Sequence, residues 1–164
     1  MLAVLAVVGS AAETNPKITF VLEHGATAGG WERKGTGNVL LEDGHIVYRA
    51  TLSGLGEPMH FNSPNVDLQT HVNDVVNLIL FEDLHDVVLT SNSNGGMVTN
   101  GVMDRVPERI RHAIILDAAV PEDGMSLWDL FSGNSQDSPG FTCRPQSQKG
   151  PPAMIWHQKR GAYL

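Results

Sequence analysis

The sequence predicts an α/β fold, a three-layer α/β/α sandwich on a mostly parallel sheet. Two observations carry it. Four short apolar runs rich in β-branched residues recur along the chain, and segments with helical spacing of apolar residues lie between them. Strands alternating with helices give a parallel sheet joined by right-handed crossovers. The chain has 164 residues, 41% hydrophobic and 18% charged, which suits one domain with a real core.

The first run is Lys17-Ile-Thr-Phe-Val-Leu-Glu23, a buried strand that stops at His24-Gly25. Residues 30–42 are a helix candidate interrupted by Gly35 and Gly37. Gly44 closes it, and His45–Ala50 is the second strand. Thr51–Pro64 carries Gly54, Gly56, Pro58 and Pro64 and is loop. Val72, Val75, Val76 and Ile79 then fall on one face of a helix over Asp67–Phe81, with Asp67 as its N-cap. Asp86–Thr90 is the third strand. Val98, Val102 and Val106 mark a further helix, which Pro107 ends. Arg109–Asp117 is the fourth strand.

Outside this core, residues 17–131, the pattern fails at both ends. Residues 132–164 are rich in Gly, Pro, Ser and Gln and read as an irregular tail, with Ala153–Trp156 a candidate short strand. Residues 1–16 hold an apolar run followed by small residues at Ser10 and Ala12, as at an export cleavage site, but lack a basic start. A remnant export signal and a plain apolar extension both stay open, so the sequence leaves cytoplasmic and exported locations equally available.

Several function classes drop out. The net charge of −7, with no Lys/Arg run, does not suit a nucleic-acid partner. No stretch reaches the roughly 18–20 apolar residues of a membrane span. The single cysteine, Cys143, cannot form an internal disulfide. The seven histidines are scattered without metal-ligand spacing, and no G-x-G-x-x-G or P-loop follows a strand, so neither metal nor cofactor is expected.

In a parallel sheet the chemistry sits beyond the carboxyl ends of the strands. There the sequence places Thr90-Ser-Asn-Ser93-Asn-Gly-Gly96 between a strand and a helix, the setting of a nucleophile elbow. Such a turn lifts a serine hydroxyl above the sheet. Gly95 supplies the small residue two after Ser93; Ser91 stands where glycine is usual two before. His24-Gly25-Ala26 follows the first strand, where a loop of this kind supplies one oxyanion donor. The candidate donors are therefore the backbone N–H groups of Ala26 and Asn94.

On these residues the chain resembles the α/β-hydrolase superfamily, as a bacterial esterase-like member of the branch that holds plant methylesterases and hydroxynitrile lyases. The resemblance rests on Phe20–Ala26, Thr51–Glu57, Thr70–Ile79, Asp86–Leu89, Gly95–Met97, Asp104–Ile110 and Leu116–Leu130, in order and spacing. It implies a serine hydrolase that cleaves a small carboxylic ester through an acyl-enzyme at Ser93. The order Ser, Asp/Glu, His makes Asp117, at the end of the fourth strand, the candidate acid, preferred over Asp123 and Asp129. It makes His157, after the Ala153–Trp156 run, the candidate base.

The chain departs from the family at four places near the site. Ser91-Asn92 replaces the usual Gly-His, and the serine is expected to push strand and helix apart. Asn94 replaces an aromatic or apolar residue. Glu23 replaces an apolar one, and its charge is expected to oppose an oxyanion unless it points away. The chain also looks C-terminally short. That supports a second reading, a degenerate or truncated hydrolase that at most binds a ligand and self-associates through an exposed sheet edge. A lyase on the same serine is a lesser option.

Overall fold

The computed structural model describes residues 16–122, 125–127 and 130. Four strands among them, β1 (Thr19–Leu22), β2 (Ile46–Arg49), β3 (Val87–Ser93) and β4 (Ile110–Ala118), form one sheet in the order β2-β1-β3-β4. All three pairings are parallel. The helices α1 (Lys34–Glu42), α2 (Leu68–Phe81) and α3 (Gly95–Arg105) form the crossovers. Right-handed crossovers in this strand order put α1 on one face and α2 with α3 on the other. The expected α/β/α sandwich is therefore present. The N-terminal extension and the tail, including Ala153–Trp156 and His157, lie outside the described residues.

The elements form for local reasons. The α2 helix starts where Asp67 Oδ1 accepts from Thr70 N–H at 2.8 Å, and the Asp67 N–H donates back to Thr70 Oγ1 at 3.3 Å. This capping box satisfies two otherwise orphaned donors. Val72, Val75 and Ile79 are fully buried on the sheet-facing side. They pack with Val21, Leu52, Leu89, Met97, Val98 and Val102 into one core between the sheet and the α2/α3 layer.

On the other face α1 forms despite its glycines, and Gly37 is there for packing. A Cβ on it would lie 3.3 Å from Arg49 Cδ and 3.7 Å from Leu22 Cδ1, so α1 rides close on β1 and β2. β1 thus alternates its faces, with Val21 toward α2/α3 and Leu22 toward α1.

Two features differ from the sequence expectation. β3 runs three residues further than Thr90, through Ser93, because β4 continues beside it: Ser91 pairs with Ile115 and Asn92 with Leu116. The Thr51–Pro64 loop contains a 3-10 segment, Glu57–Phe61.

The cap and the core make separable predictions. Asp67→Ala is expected to lower the free energy of unfolding by about 1 kcal/mol. Ile79→Ala is expected to lower it by about 2–5 kcal/mol, because Ile79 is fully buried. Urea unfolding of both variants measures the difference; an Ile79→Ala loss as small as the cap's would contradict the buried face of α2.

Candidate active site

The strand order creates the site. From β1 the chain turns one way, to β2, and from β3 the other way, to β4. The switch point lies between the carboxyl ends of β1 and β3, where such sheets open a crevice. β1 delivers His24-Gly25-Ala26 to it, and β3 delivers Ser93-Asn94.

Ser93 has φ +51°, a left-handed backbone that costs a non-glycine residue about 1–3 kcal/mol. Surrounding contacts hold it. Its carbonyl accepts from Ala119 N–H at 2.9 Å, and α3 begins two residues later. Across the pairing, Asn92 faces Leu116 but Ser93 faces Ala118, so Asp117 is the extra residue of a bulge, with φ +46°. Ser93 is exposed at the top of the sheet.

Close crossing requires the glycines around it. A Cβ on Gly25 would lie 3.3 Å from Ser93 Cβ and 3.6 Å from its Oγ, so only a glycine lets this loop lie against the serine undisturbed. A Cβ on Gly96 would lie 2.2 Å from the Ala119 carbonyl oxygen. A Cβ on Gly95 would meet the His24 carbonyl at 3.0 Å and Ser91 Cβ at 3.2 Å. Ser91 therefore does not force strand and helix apart, contrary to expectation: Gly95 gives up the space that Ser91 takes.

His24 is fully buried and organises the first loop. Leu52 N–H donates to its Nε2 at 3.1 Å, so the proton sits on Nδ1, which donates to the Gly25 carbonyl at 2.7 Å. Burial holds its pKa below the usual histidine value, despite the opposing pull of the Gly25 carbonyl. The ring is a neutral strut between two loops. Ala26 and Asn94, the two candidate oxyanion residues, line one cavity of about 250 Å³. Neither backbone N–H donates to another group among the described residues. Asn94 also stands at the N-terminus of α3, where the helix dipole favours negative charge. Leu55 and Val66 give this cavity an apolar wall, and Ser53, Asn62 and His71 a polar one.

A second, more open cavity of about 440 Å³ lies on the β4 side of the serine. Ser93, Asn92 and Asp117 line it together with Ala118 and Leu130. The structure thus brings Asp117 to the side of Ser93, exposed to solvent. Among the described residues no histidine lines this cavity. His60 is exposed against Phe61, His71 donates through Nε2 to the Ser53 carbonyl at 3.0 Å, and His112 is exposed on β4.

Glu23 does not put a charge at the oxyanion site. Its side chain is fully buried and turns toward α3, where Oε2 accepts from Thr99 Oγ1 at 2.9 Å. Burial pushes its pKa up to about 8, against a smaller lowering by Thr99, so the carboxyl is mostly protonated at neutral pH. On the opposite face Arg33 Nε donates to the Glu23 carbonyl at 3.0 Å, and its NH2 group donates to Asn92 Oδ1. The unusual residues at 23 and 92 are thus each held by a partner that the sequence reading did not single out. Thr99 was findable, because it lies one helical turn after Gly95 on the side that crosses the sheet. Arg33 carried no signal beyond one charge among others at the start of a helix candidate.

The glycine geometry is testable. Gly96→Ala is expected to destabilise the fold by more than about 2 kcal/mol, since it drives a Cβ into backbone. Gly35→Ala, in α1 with nothing within 4 Å, is expected to stabilise by roughly 0.4–1 kcal/mol. Thermal unfolding compares the two; similar effects from both would contradict the crossing.

No protein-family model matches the chain. Its sequence is 47% identical over 112 residues to a carbendazim hydrolyzing esterase of a Nocardioides species, an alignment that covers 68% of this chain and 46% of that protein. Among solved structures it is similar to an extracellular α/β-hydrolase from a Paenibacillus species, with TM-score 0.62 and 36% identity, over 66% of this chain and 44% of the other. It is also similar to a methylesterase from Arabidopsis, with TM-score 0.59 and 28% identity, over 66% and 46%. The chain spans under half the length of the curated relatives it matches. Sequence blocks, sheet order, elbow and relatives agree: the chain belongs to the α/β-hydrolase superfamily, in its methylesterase branch.

Proposed function

We propose that this chain carries the nucleophile and oxyanion half of a serine hydrolase that cleaves a small carboxylic ester. One observation carries it. Ser93 is held at φ +51° at the switch point, with the Gly25 loop against it and with Ala26 and Asn94, whose N–H groups have no partner among the described residues, lining the adjoining cavity. The names of the relatives, an esterase and a methylesterase, support an ester as the substrate class.

In the proposed reaction Ser93 Oγ attacks the acyl carbon. The N–H groups of Ala26 and Asn94 receive the developing oxyanion, and His24 keeps their loop in place as a positioning residue. A general base takes the serine proton and returns it to the leaving alcohol. Water then attacks the acyl-enzyme, and the acid product and Ser93 are released. The base approaches through the open cavity on the β4 side, where Asp117 is placed to orient it. His157, outside the described residues, is the candidate for that base.

A specific observation favours a second reading, a hydrolase fold without turnover: no described histidine reaches the Ser93–Asp117 cavity. That reading carries self-association with it. β4 pairs only with β3 among the described residues, and it exposes Leu116 by 59% and Ile114 by 41%.

Hydrolysis of a short p-nitrophenyl ester by wild type and Ser93→Ala decides between the two. The proposal expects turnover that falls at least about a thousand-fold in the variant, the scale seen when a nucleophile is removed. Equal rates in the two proteins would reject Ser93 as nucleophile and favour the reading without turnover.

A further inference from the structure

Glu23 has no role in the reaction as proposed, yet it lies under the elbow at its most crowded point. Val21 and Glu23 face α2 and α3 from β1, as Val87, Leu89 and Ser91 do from β3. The two stripes are apolar until their last members, Glu23 and Ser91, which meet the first turn of α3. A Cβ on Gly95 would lie 3.6 Å from Glu23 Cβ and 3.2 Å from Ser91 Cβ. Glu23 is tied down at three points: its N–H donates to the Thr90 carbonyl at 2.8 Å, its carbonyl accepts from Arg33, and Oε2 accepts from Thr99. Among the described residues, Oε1 and the Ser91 hydroxyl are buried without a partner.

This arrangement holds a neutral acid and does not hold an anion. A carboxylate with one hydroxyl donor and one unpartnered oxygen, sealed from water, has far too little solvation. Nor, among the described residues, does any cation compensate it. Arg33 engages the backbone carbonyl and the α1 face, and is paired with Glu32 at 3.5 Å. From the loop after β1 His24 is a neutral strut, from α2 His71 spends its Nε2–H on Ser53, and from β4 Asp117 is exposed at the other cavity. From β3 and the first turns of α3 the facing groups, Ser91 and Thr99, are uncharged.

We infer that Glu23 is a positioning residue for the nucleophile: its neutral carboxyl lets the first turns of α3 pack onto the end of β1, and loss of that proton, which leaves a carboxylate without enough solvation inside the crossing, opens the Ser93 elbow. The inference rests on Ser93 being the nucleophile. Its consequence is an alkaline limit on serine reactivity that belongs to Glu23 and not to the general base.

The raised pKa of about 8 sets the direction. Between the ordinary value, 4.5, and about 8 the folded protein keeps a proton that the unfolded chain has lost. Stability therefore falls as pH rises through this window, and levels off above it.

The test uses the whole chain and compares wild type with Glu23→Gln, which stays neutral at every pH and still accepts from Thr99. Labelling of Ser93 by a fluorophosphonate, normalised to the folded fraction, is expected to decline in wild type above about pH 8 and to show no such decline in Glu23→Gln. Thr99→Val removes the bond that lowers the Glu23 pKa, so its decline is expected at higher pH than in wild type. Hydrogen exchange in residues 92–100 is read alongside, and should be faster in wild type than in Glu23→Gln only on the alkaline side. An alkaline decline unchanged by Glu23→Gln, or exchange that matches at every pH, would overturn the inference. If Ser93 is never labelled, the hydrolase reading fails by itself, and the exchange comparison still decides whether loss of the Glu23 proton opens the elbow.

Discussion

The carboxyl edge of this sheet depends on how closely the first turn of α3 crosses the ends of β1 and β3. Gly95 and Gly96 leave no space for a side chain between the helix and the backbone of residues 24 and 119. That proximity forces the chain through a left-handed conformation at Ser93, and the β4 bulge at Asp117 absorbs the mismatch on the far side. The strain at Ser93 is local, and packing on both sides holds it: Gly25 from one strand, Ala118 and Ala119 from the other. The position of the serine thus follows from a packing constraint. The hydroxyl is exposed because the turn has no room to bury it.

Polar residues have been fitted into that crossing without disturbing it. On the α1 face Arg33 spans Glu23 and Asn92, joining the ends of β1 and β3 across the switch point. On the other face Thr99 meets the Glu23 carboxyl. The electrostatic consequence is favourable. A buried carboxylate would oppose the helix dipole at Asn94, whereas the protonated acid leaves that end of the helix free to attract negative charge. A group that looks wrong for an oxyanion site by its residue type fits once its burial is counted.

The sheet, its parallel sense and the helices α2 and α3 were legible in the sequence, because each rests on local periodicity; α1 stood only as a candidate, since Gly35 and Gly37 interrupt it. Asp67 could be read as a cap, and Val72, Val75 and Ile79 as a buried face, since spacing alone decides both. The region of the site was legible for a related reason: Ser93 and Gly25 follow strands, and strand ends define the crevice. What could not be read was long-range and depended on volume. Ser91 looked obstructive because its effect is set by Gly95, on another element. Glu23 looked charged because its neutrality comes from burial under α3, an element distant in sequence; Thr99, 76 positions away, offsets that only in part. The length of β3 was misjudged because Ser91 and Asn92 gain strand structure only from β4.

Ser93 lines the larger of two cavities and its neighbour Asn94 lines the smaller, and their different linings imply a division of labour under the proposed mechanism. The smaller one has an apolar wall and the two N–H groups that are unengaged among the described residues, so it suits an acyl group whose carbonyl oxygen turns toward Ala26 and Asn94. The larger one is open and polar on the β4 side, with Asp117 at its wall, so it suits a base and not a substrate. A general base must reach the hydroxyl from a side that the acyl group does not occupy. With the β1 side closed by Gly25 and the front taken by the acyl cavity, the β4 side is the approach that remains. Under the proposed mechanism, the base therefore meets Ser93 on the side of Asp117, and the bulge in β4 is where this residue joins the wall of that approach.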